Sequence, residues 1–143
     1  MAALSRAKRV DKQSINVLPN PVEGRVKGGA KIWEGALCAV DATGHVIPGA
    51  SATGLVCIGV AKRTYDNTAG ADGAIIGEFW QGCQRFENAT AGDAVTQAEV
   101  GRPVYILDDQ TVTKTATGRS VAGVCHRLEG TTVFVQVGFG IKA

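Results

Sequence analysis

The chain has 143 residues, of which 45% are hydrophobic and 20% charged, as is typical of one globular domain. No apolar run reaches the ~18–20 residues of a membrane-spanning helix, and the basic N-terminus is not followed by the apolar stretch of a secretory signal. The 19 glycines exceed the roughly ten expected from average usage. They favour short strands joined by tight turns.

Residues 1–21 are predicted to form an extended N-terminal arm, because they contain no glycine and end in a Pro-Asn-Pro sequence that disfavours helix. The first twelve residues carry a net charge of +3, and the other 131 carry 11 basic and 12 acidic side chains. A basic arm on a nearly neutral body is typical of contact with an acidic surface or with nucleic acid. A solvated terminus is the alternative. The basic residues of the arm are Arg6, Lys8, Arg9 and Lys12.

Residues 22–143 are predicted to form a β-rich domain, because apolar runs alternate with turn residues every 8–12 positions. In the last run, Val133, Val135 and Val137 share one face. The pattern indicates an all-β fold, a small antiparallel β-sandwich or barrel with a β-tulip-like shape. The predicted strands are 22–27, 36–41, 45–47, 55–64, 74–80, 83–87, 103–107, 110–115, 119–127 and 131–138.

Turns are predicted at 41–44, 67–73, 107–109 and 129–130, where Gly, Asn and Asp cluster. The later part of the chain offers one helical turn, at 97–100, which Gly101 would stop.

A weak internal repeat relates residues 51–63 to residues 115–127 at an offset of 64, with six of the 13 aligned positions identical. Both segments follow a turn and a short strand. The repeat indicates two related β-units packed together, although a chain rich in Gly, Ala and Val also produces such matches by chance.

No residue pattern indicates catalysis. His126 follows Cys125, but neighbours in a strand point to opposite faces, so the pair cannot share a hydrogen bond there. Asp108 and Asp109 lie where a turn is expected, and His45 follows a turn, where we expect it to be exposed. No phosphate-binding loop is present. We therefore expect a protein that is not an enzyme and that holds no metal or cofactor.

The four cysteines lie far apart in apolar or strand-like contexts, and no pair has the C-x-x-C spacing. Because free cysteine packs as a small hydrophobe, we expect four reduced thiols. Trp33 and Trp80 are expected in the core or at an interface.

Five blocks of the sequence resemble small capsid decoration proteins of tailed phages, also called cement proteins, and related prophage proteins. The blocks occur in the order of that family and together span about residues 22–138; the arm and the four cysteines lie outside the resemblance. The blocks are G-A-K-I-W-E-G-A-L-C-A-V-D-A-T-G-H-V-I-P-G-A (29–50), G-V-A-K-R-T-Y-D-N-T-A-G-A-D-G-A (59–74), F-W-Q-G-C-Q-R-F-E-N-A (79–89), V-T-Q-A-E-V-G-R-P-V-Y-I-L-D-D-Q-T-V-T-K-T (95–115) and V-A-G-V-C-H-R-L-E-G-T-T-V-F-V-Q-V (121–137).

The resemblance implies a structural protein of the virion that binds the outer face of an expanded capsid and cements adjacent subunits of the major capsid protein. It implies a homotrimer, with no nucleic acid and no membrane as partners. A nucleic-acid-binding β-barrel with a basic arm and another virion component, of the head–tail junction or the tail, remain as alternatives. The residues expected to contact the capsid are Arg6, Lys8, Arg9, Lys12, Trp33, Tyr65 and Asn67.

Overall fold

A computed structural model describes residues 20–140, and the predicted all-β fold is confirmed. The predicted helical turn at 97–100 is a 3₁₀ helix, Gln97–Glu99, capped by Thr96, and a further 3₁₀ helix, Ala91–Asp93, precedes it. The strands are β1 (Val22–Arg25), β2 (Lys31–Ile32), β3 (Leu37–Val40), β4 (Val46–Pro48), β5 (Val56–Ala61), β6 (Tyr65–Asp66), β7 (Ile76–Trp80), β8 (Gly82–Asn88), β9 (Pro103–Ile106), β10 (Thr111–Thr113), β11 (Val121–Glu129) and β12 (Thr132–Val137).

Two five-stranded units follow each other along the chain. The N-terminal unit has the strand order β1-β7-β5-β3-β4, and the C-terminal unit has the order β8-β12-β11-β9-β10. Strands β2 and β6, which were not predicted, pair with each other. Strand β5 ends at Ala61 rather than at the predicted residue 64. The residues that follow it leave the neighbouring strand β7 and form β6, which pairs with β2.

Each unit closes through one parallel contact, which the purely antiparallel prediction did not include. In the C-terminal unit β10 pairs with β8 in parallel and completes a closed barrel. In the N-terminal unit a single parallel bridge joins Val26 and Val46. The reason is the odd number of strands. When five strands alternate in direction around a ring, the first and the last run the same way.

The predicted internal repeat is confirmed by the strand pairing. Strands β1, β3, β4, β5 and β7 correspond in order to β8, β9, β10, β11 and β12. The register is also the same, and both units carry a β-bulge that skips Ile58 in one and Ala122 in the other. The central pairs show the match: Val60 with Leu37 and Trp80, and Val124 with Pro103 and Gln136.

The hydrophobic core falls into two clusters, one inside each unit, and the second cluster extends between the units. Phe79 and Ile58 lie inside the N-terminal unit. The C-terminal cluster contains its own interior and also residues on the outer face of β3 and β5. The N-terminal unit therefore packs this outer face against the C-terminal unit. The residues that do so are Leu37, Ala39, Cys57 and Val60.

Candidate interaction surface

Trp33 is the most exposed large hydrophobic side chain among the described residues, with 59% of its surface accessible. It begins the tight turn before β3, in which the Ala36 N–H donates to the Trp33 carbonyl over 3.0 Å. The Lys31 Nζ lies 4.2 Å from the centre of its ring. The ring thus offers an apolar face with a cation beside it, an arrangement worth about 0.5–1 kcal/mol when exposed.

Trp80 repeats this arrangement at the end of β7, where 38% of its surface is accessible. The Lys62 Nζ lies 5.3 Å from its ring centre and 3.3 Å from the Glu78 carboxylate. Within β7 the buried side chains alternate with more exposed ones, so Phe79 faces the core while Trp80 faces outward. The sequence predicted Trp80 in the core or at an interface but did not single it out as a contact residue, because both faces of β7 carry apolar residues.

The segments that carry the two tryptophans lie next to each other. The Gly35 N–H donates to the Ala61 carbonyl over 2.9 Å, and the Lys62 N–H donates to the Glu78 carbonyl over 3.0 Å. The turn before β3, the end of β5 and the end of β7 are therefore bonded side by side. We call the side chains that emerge from them the tryptophan surface: Lys31, Trp33, Lys62, Glu78 and Trp80.

Tyr65 supports the tryptophan surface from below rather than extending it. Its half-buried ring packs against Phe79, with the ring centres 5.7 Å apart. The hydroxyl accepts from the Glu78 N–H over 2.8 Å and lies 3.2 Å from the Glu78 carbonyl, to which it donates. The hydroxyl thus donates one hydrogen bond and accepts another within the chain. The contact role expected for Tyr65 stays a prediction, and it concerns the edge of the ring.

Asn67 uses its side chain within the chain, and the contact role expected for it stays a prediction. Only 2% of its surface is accessible. Its amide nitrogen donates to backbone carbonyls of Val26, Lys27 and Ala71 over 2.9–3.2 Å. The side chain therefore holds the loop after β6 against the end of β1. A turn residue suggests exposure in the sequence, but here residues 40 positions away bury it.

The arm leaves the described part of the chain next to Trp80. The Asn20 Oδ1 accepts from the N–H of Gln81, which directly follows Trp80 in the sequence. The contact residues predicted in the arm lie outside the described residues; they are Arg6, Lys8, Arg9 and Lys12.

A second region of interest is the seam between β1 and β4, where the N-terminal unit closes. A groove of about 460 Å³ opens below the Val26–Val46 bridge, and Ile76 and Phe139 form part of its apolar wall. Its polar lining includes Glu23, Arg25, Thr43 and His45.

One rim of this groove is held by a chain of polar contacts. Lys27 and Asp41 form an ion pair of 2.9 Å, which raises the pKa of Lys27. Hydrogen bonds from Thr43 and Lys27 hold the pKa of Asp41 well below its usual range. Since the Thr43 hydroxyl donates to Asp41, the His45 Nδ1, at 2.9 Å, donates to that hydroxyl. His45 is thus half-buried and fixed, rather than the exposed residue expected after a turn.

The remaining sequence predictions concern residues that were considered as catalytic candidates and rejected, and the four cysteines. Cys125 is buried and His126 exposed, as their strand positions predicted. Asp108 accepts from the Gln110 N–H over 2.9 Å and so caps its own turn. All four cysteines are free thiols, as expected, and only Cys83 is exposed.

Residues 20–140 contain neither a cluster of metal-binding side chains nor a helix suited to span a membrane. These residues contain no group of three or more His, Cys, Asp or Glu side chains placed to hold a metal ion. No helix in the same part of the chain has the length and apolar character needed to cross a membrane.

Comparison with protein-family models, with curated proteins and with solved structures finds no match to this chain.

Proposed function

We propose that this protein is a structural component of a phage virion that binds the outer surface of the capsid and cements adjacent major capsid protein subunits. The observation that carries the proposal is the placement of the tryptophan surface beside the point where the basic arm joins the body. Tryptophan is among the residue types that dominate the binding energy of protein interfaces. Together the two features form one docking region with apolar anchors and positive charge.

The charge distribution favours an acidic protein shell as the partner. The arm carries +3 in twelve residues, whereas the rest of the chain carries −1. Positive charge confined to one end steers that end toward an acidic surface and leaves the body neutral. In this proposal the protein binds no nucleic acid or membrane, uses no cofactor, catalyses no reaction and acts as a homotrimer on the capsid exterior.

The proposal is tested by co-sedimentation with expanded, undecorated capsids. Trp33→Ala and Trp80→Ala each remove an apolar anchor, and we expect each to weaken binding by about thirtyfold, the effect of losing roughly 2 kcal/mol. Phe134→Ala is the matched control, because Phe134 is another aromatic ring under a basic side chain, Arg127, but lies in the C-terminal unit. Equal binding by all three variants and the intact chain would rule out the tryptophan surface as the anchor.

The arm is tested in the same assay at two salt concentrations. Changing its four basic residues to Ala is expected to weaken binding by about ten- to a hundredfold at low salt and less at high salt, because exposed ion pairs are screened. A salt-dependent shift of double-stranded DNA by the intact chain, with no capsid binding, would instead identify the protein as the nucleic-acid-binding barrel.

A further inference from the structure

The contact between the two units uses one face from each, and the repeat places a counterpart of each face elsewhere on the molecule. The N-terminal unit contributes the outer face of β3 and β5, which is fully buried. The same positions on β9 and β11 of the C-terminal unit are only half-buried. We call these counterparts the donor face: Pro103, Tyr105, Val121 and Val124.

The turn that precedes this face has the same shape in both units. In the N-terminal unit, Gly35 and Ala36 make the turn bonds described above, and Gly35 lies over the C-terminal seam. In the C-terminal unit the Gly101 N–H donates to the Cys125 carbonyl over 2.8 Å, and the Arg102 N–H donates to the Glu99 carbonyl over 2.9 Å. The donor face therefore keeps the backbone shape of the face that is already used within the chain.

The C-terminal unit receives the N-terminal unit beside its own seam. There Gly35 lines a groove of about 310 Å³ with Phe86, Glu87 and Thr132. The counterpart of this groove is the open seam groove of the N-terminal unit. We call its lining, together with the counterpart of Ser120, the acceptor face: Glu23, Arg25, Gly44, Val56 and Ile76.

The exposed apolar residues fall on or next to these two unused faces. Val56 and Ile76 have 52% and 51% of their surface accessible, and Phe139, also exposed, adjoins Ile76 in the seam groove. Val100, also exposed, lies in the turn that precedes the donor face. Apart from the two tryptophans, these are all the exposed large hydrophobic residues among positions 20–140. Apolar residues grouped in this way indicate an interaction site.

We propose that copies of this chain join head to tail, with the donor face of one copy packed on the acceptor face of the next as the two units pack within one chain. Such a contact is heterologous, and it forms a ring if the rotation closes. A ring of three copies would place six similar units around one axis. The inference rests on the homotrimer of the proposed function, but its test needs no capsid, so it can fail while capsid binding by the tryptophan surface holds.

Two sequence differences between the units distinguish the free faces from the faces that pack within the chain. Within the chain, the Ser120 hydroxyl binds Ala52 and Leu55, and the Leu37 N–H donates to the Asp109 carbonyl over 2.7 Å. On the free faces, Val56 stands in the position of Ser120, and Pro103, which has no N–H, stands in the position of Leu37. The contact between copies is therefore more apolar.

The test uses sedimentation velocity of the full chain at increasing concentration, without capsids. Ile76→Glu places a charge on the acceptor face, and Val124→Glu places one on the donor face, at the position that Val60 holds in the contact within the chain. We expect the unaltered chain to form an oligomer and each variant alone to sediment as a monomer. Thr90→Glu is the control, because it adds a charge at an exposed position before the first 3₁₀ helix, outside both faces.

Mixing the two variants gives the decisive result. Each variant keeps one intact face, so an equimolar mixture should form a dimer through the donor face of the Ile76→Glu chain and the acceptor face of the Val124→Glu chain. A mixture that stays monomeric overturns the proposal, as does an unaltered chain that is monomeric at every concentration. Circular dichroism establishes that the variants are folded. If either is not, Ile76→Lys and Val124→Lys replace them in the same mixture.

Discussion

The two units share one backbone plan but fill it with different side chains. Phe79 lies in the core of the N-terminal unit, and its counterpart in the C-terminal unit is Val135. On the neighbouring strand the C-terminal unit carries the large residue, because the buried Phe86 corresponds to Gly24 of the N-terminal unit. A large and a small residue have thus changed places across the same pair of strands. A fold is kept when total volume and pattern are kept, even though the individual residues differ.

The units also differ in how they close. In the C-terminal unit, Glu87 pairs with Thr111, and its N–H donates to the Gln110 carbonyl over 2.8 Å. In the N-terminal unit only the single Val26–Val46 bridge joins the two strands, and the sheet is not a closed barrel. The unit with the open seam is the one that carries the tryptophan surface.

The largest effect is expected from replacing core residues of the N-terminal unit with their counterparts from the C-terminal unit. Phe79→Val leaves a cavity, and Gly24→Phe alone clashes, because a Cβ at this position would lie 2.6 Å from a methyl group of Val46 and 2.9 Å from Ile58. Each change should destabilise the chain by about 1–5 kcal/mol. Combined with Ile58→Ala, the two changes recreate the arrangement of Phe86, Ala122 and Val135.

The triple variant should therefore be more stable than the sum of its single changes by about 0.5–3 kcal/mol, the range for coupled neighbours. Urea unfolding of the single and triple variants measures this difference. Simple additivity would mean that the two interiors differ in shape as well as in contents.

A smaller effect is expected at the glycine beside each bulge. A Cβ on Gly59 would collide with the Trp80 carbonyl oxygen, and one on Gly123 would collide with the Gln136 carbonyl oxygen. Gly59→Ala and Gly123→Ala should each cost about 1–3 kcal/mol, since the opposite strand must move. Gly59→Ala should cost more, because Gly59 also has a φ of +137°.

Gly92→Ala is the control for this pair, because no atom lies within 4 Å of the Cβ it would add. Thermal unfolding of the three variants ranks them. Equal Tm values for all three would show that the bulges do not constrain the two units.

The sequence predicted most strands because their apolar residues alternate over several positions, as in β12. The two-residue strands β2 and β6 could not be predicted, since two residues carry no period. The repeat was only partly visible in the sequence, because corresponding core positions of the two units carry residues of different size and so are not identical. Six identical positions remained, among them Gly59 and Gly123, where the backbone itself excludes a side chain.

The candidate site was harder to predict than the fold. Both faces of β7 carry apolar residues, so alternation alone could not decide whether Phe79 or Trp80 faces the core. The burial of Asn67 was missed for a related reason. Its local sequence indicates a turn, whereas its burial depends on the end of β1, which is far away along the chain.

The smallest effect at neutral pH is expected from exchanging a buried thiol for its counterpart in the other unit. Cys57 is buried at the contact between the units, and its counterpart is Val121. Cys57→Val should change the free energy of unfolding by less than about 1.5 kcal/mol at pH 7, because the volumes are similar. Above pH 9 the variant should become the more stable chain.

This reversal follows from proton binding. Burial raises the pKa of Cys57 from 9.0 to about 12. Between these values the folded chain keeps a proton that the unfolded chain has lost, so stability falls as pH rises, by about 1.4 kcal/mol per pH unit for one such thiol. Cys57→Val removes this loss, and urea unfolding at pH 7 and pH 10 measures it. Cys83→Ser is the control, because Cys83 is exposed. Parallel stability curves for the intact chain and Cys57→Val would show that the contact between the two units admits water to the thiol.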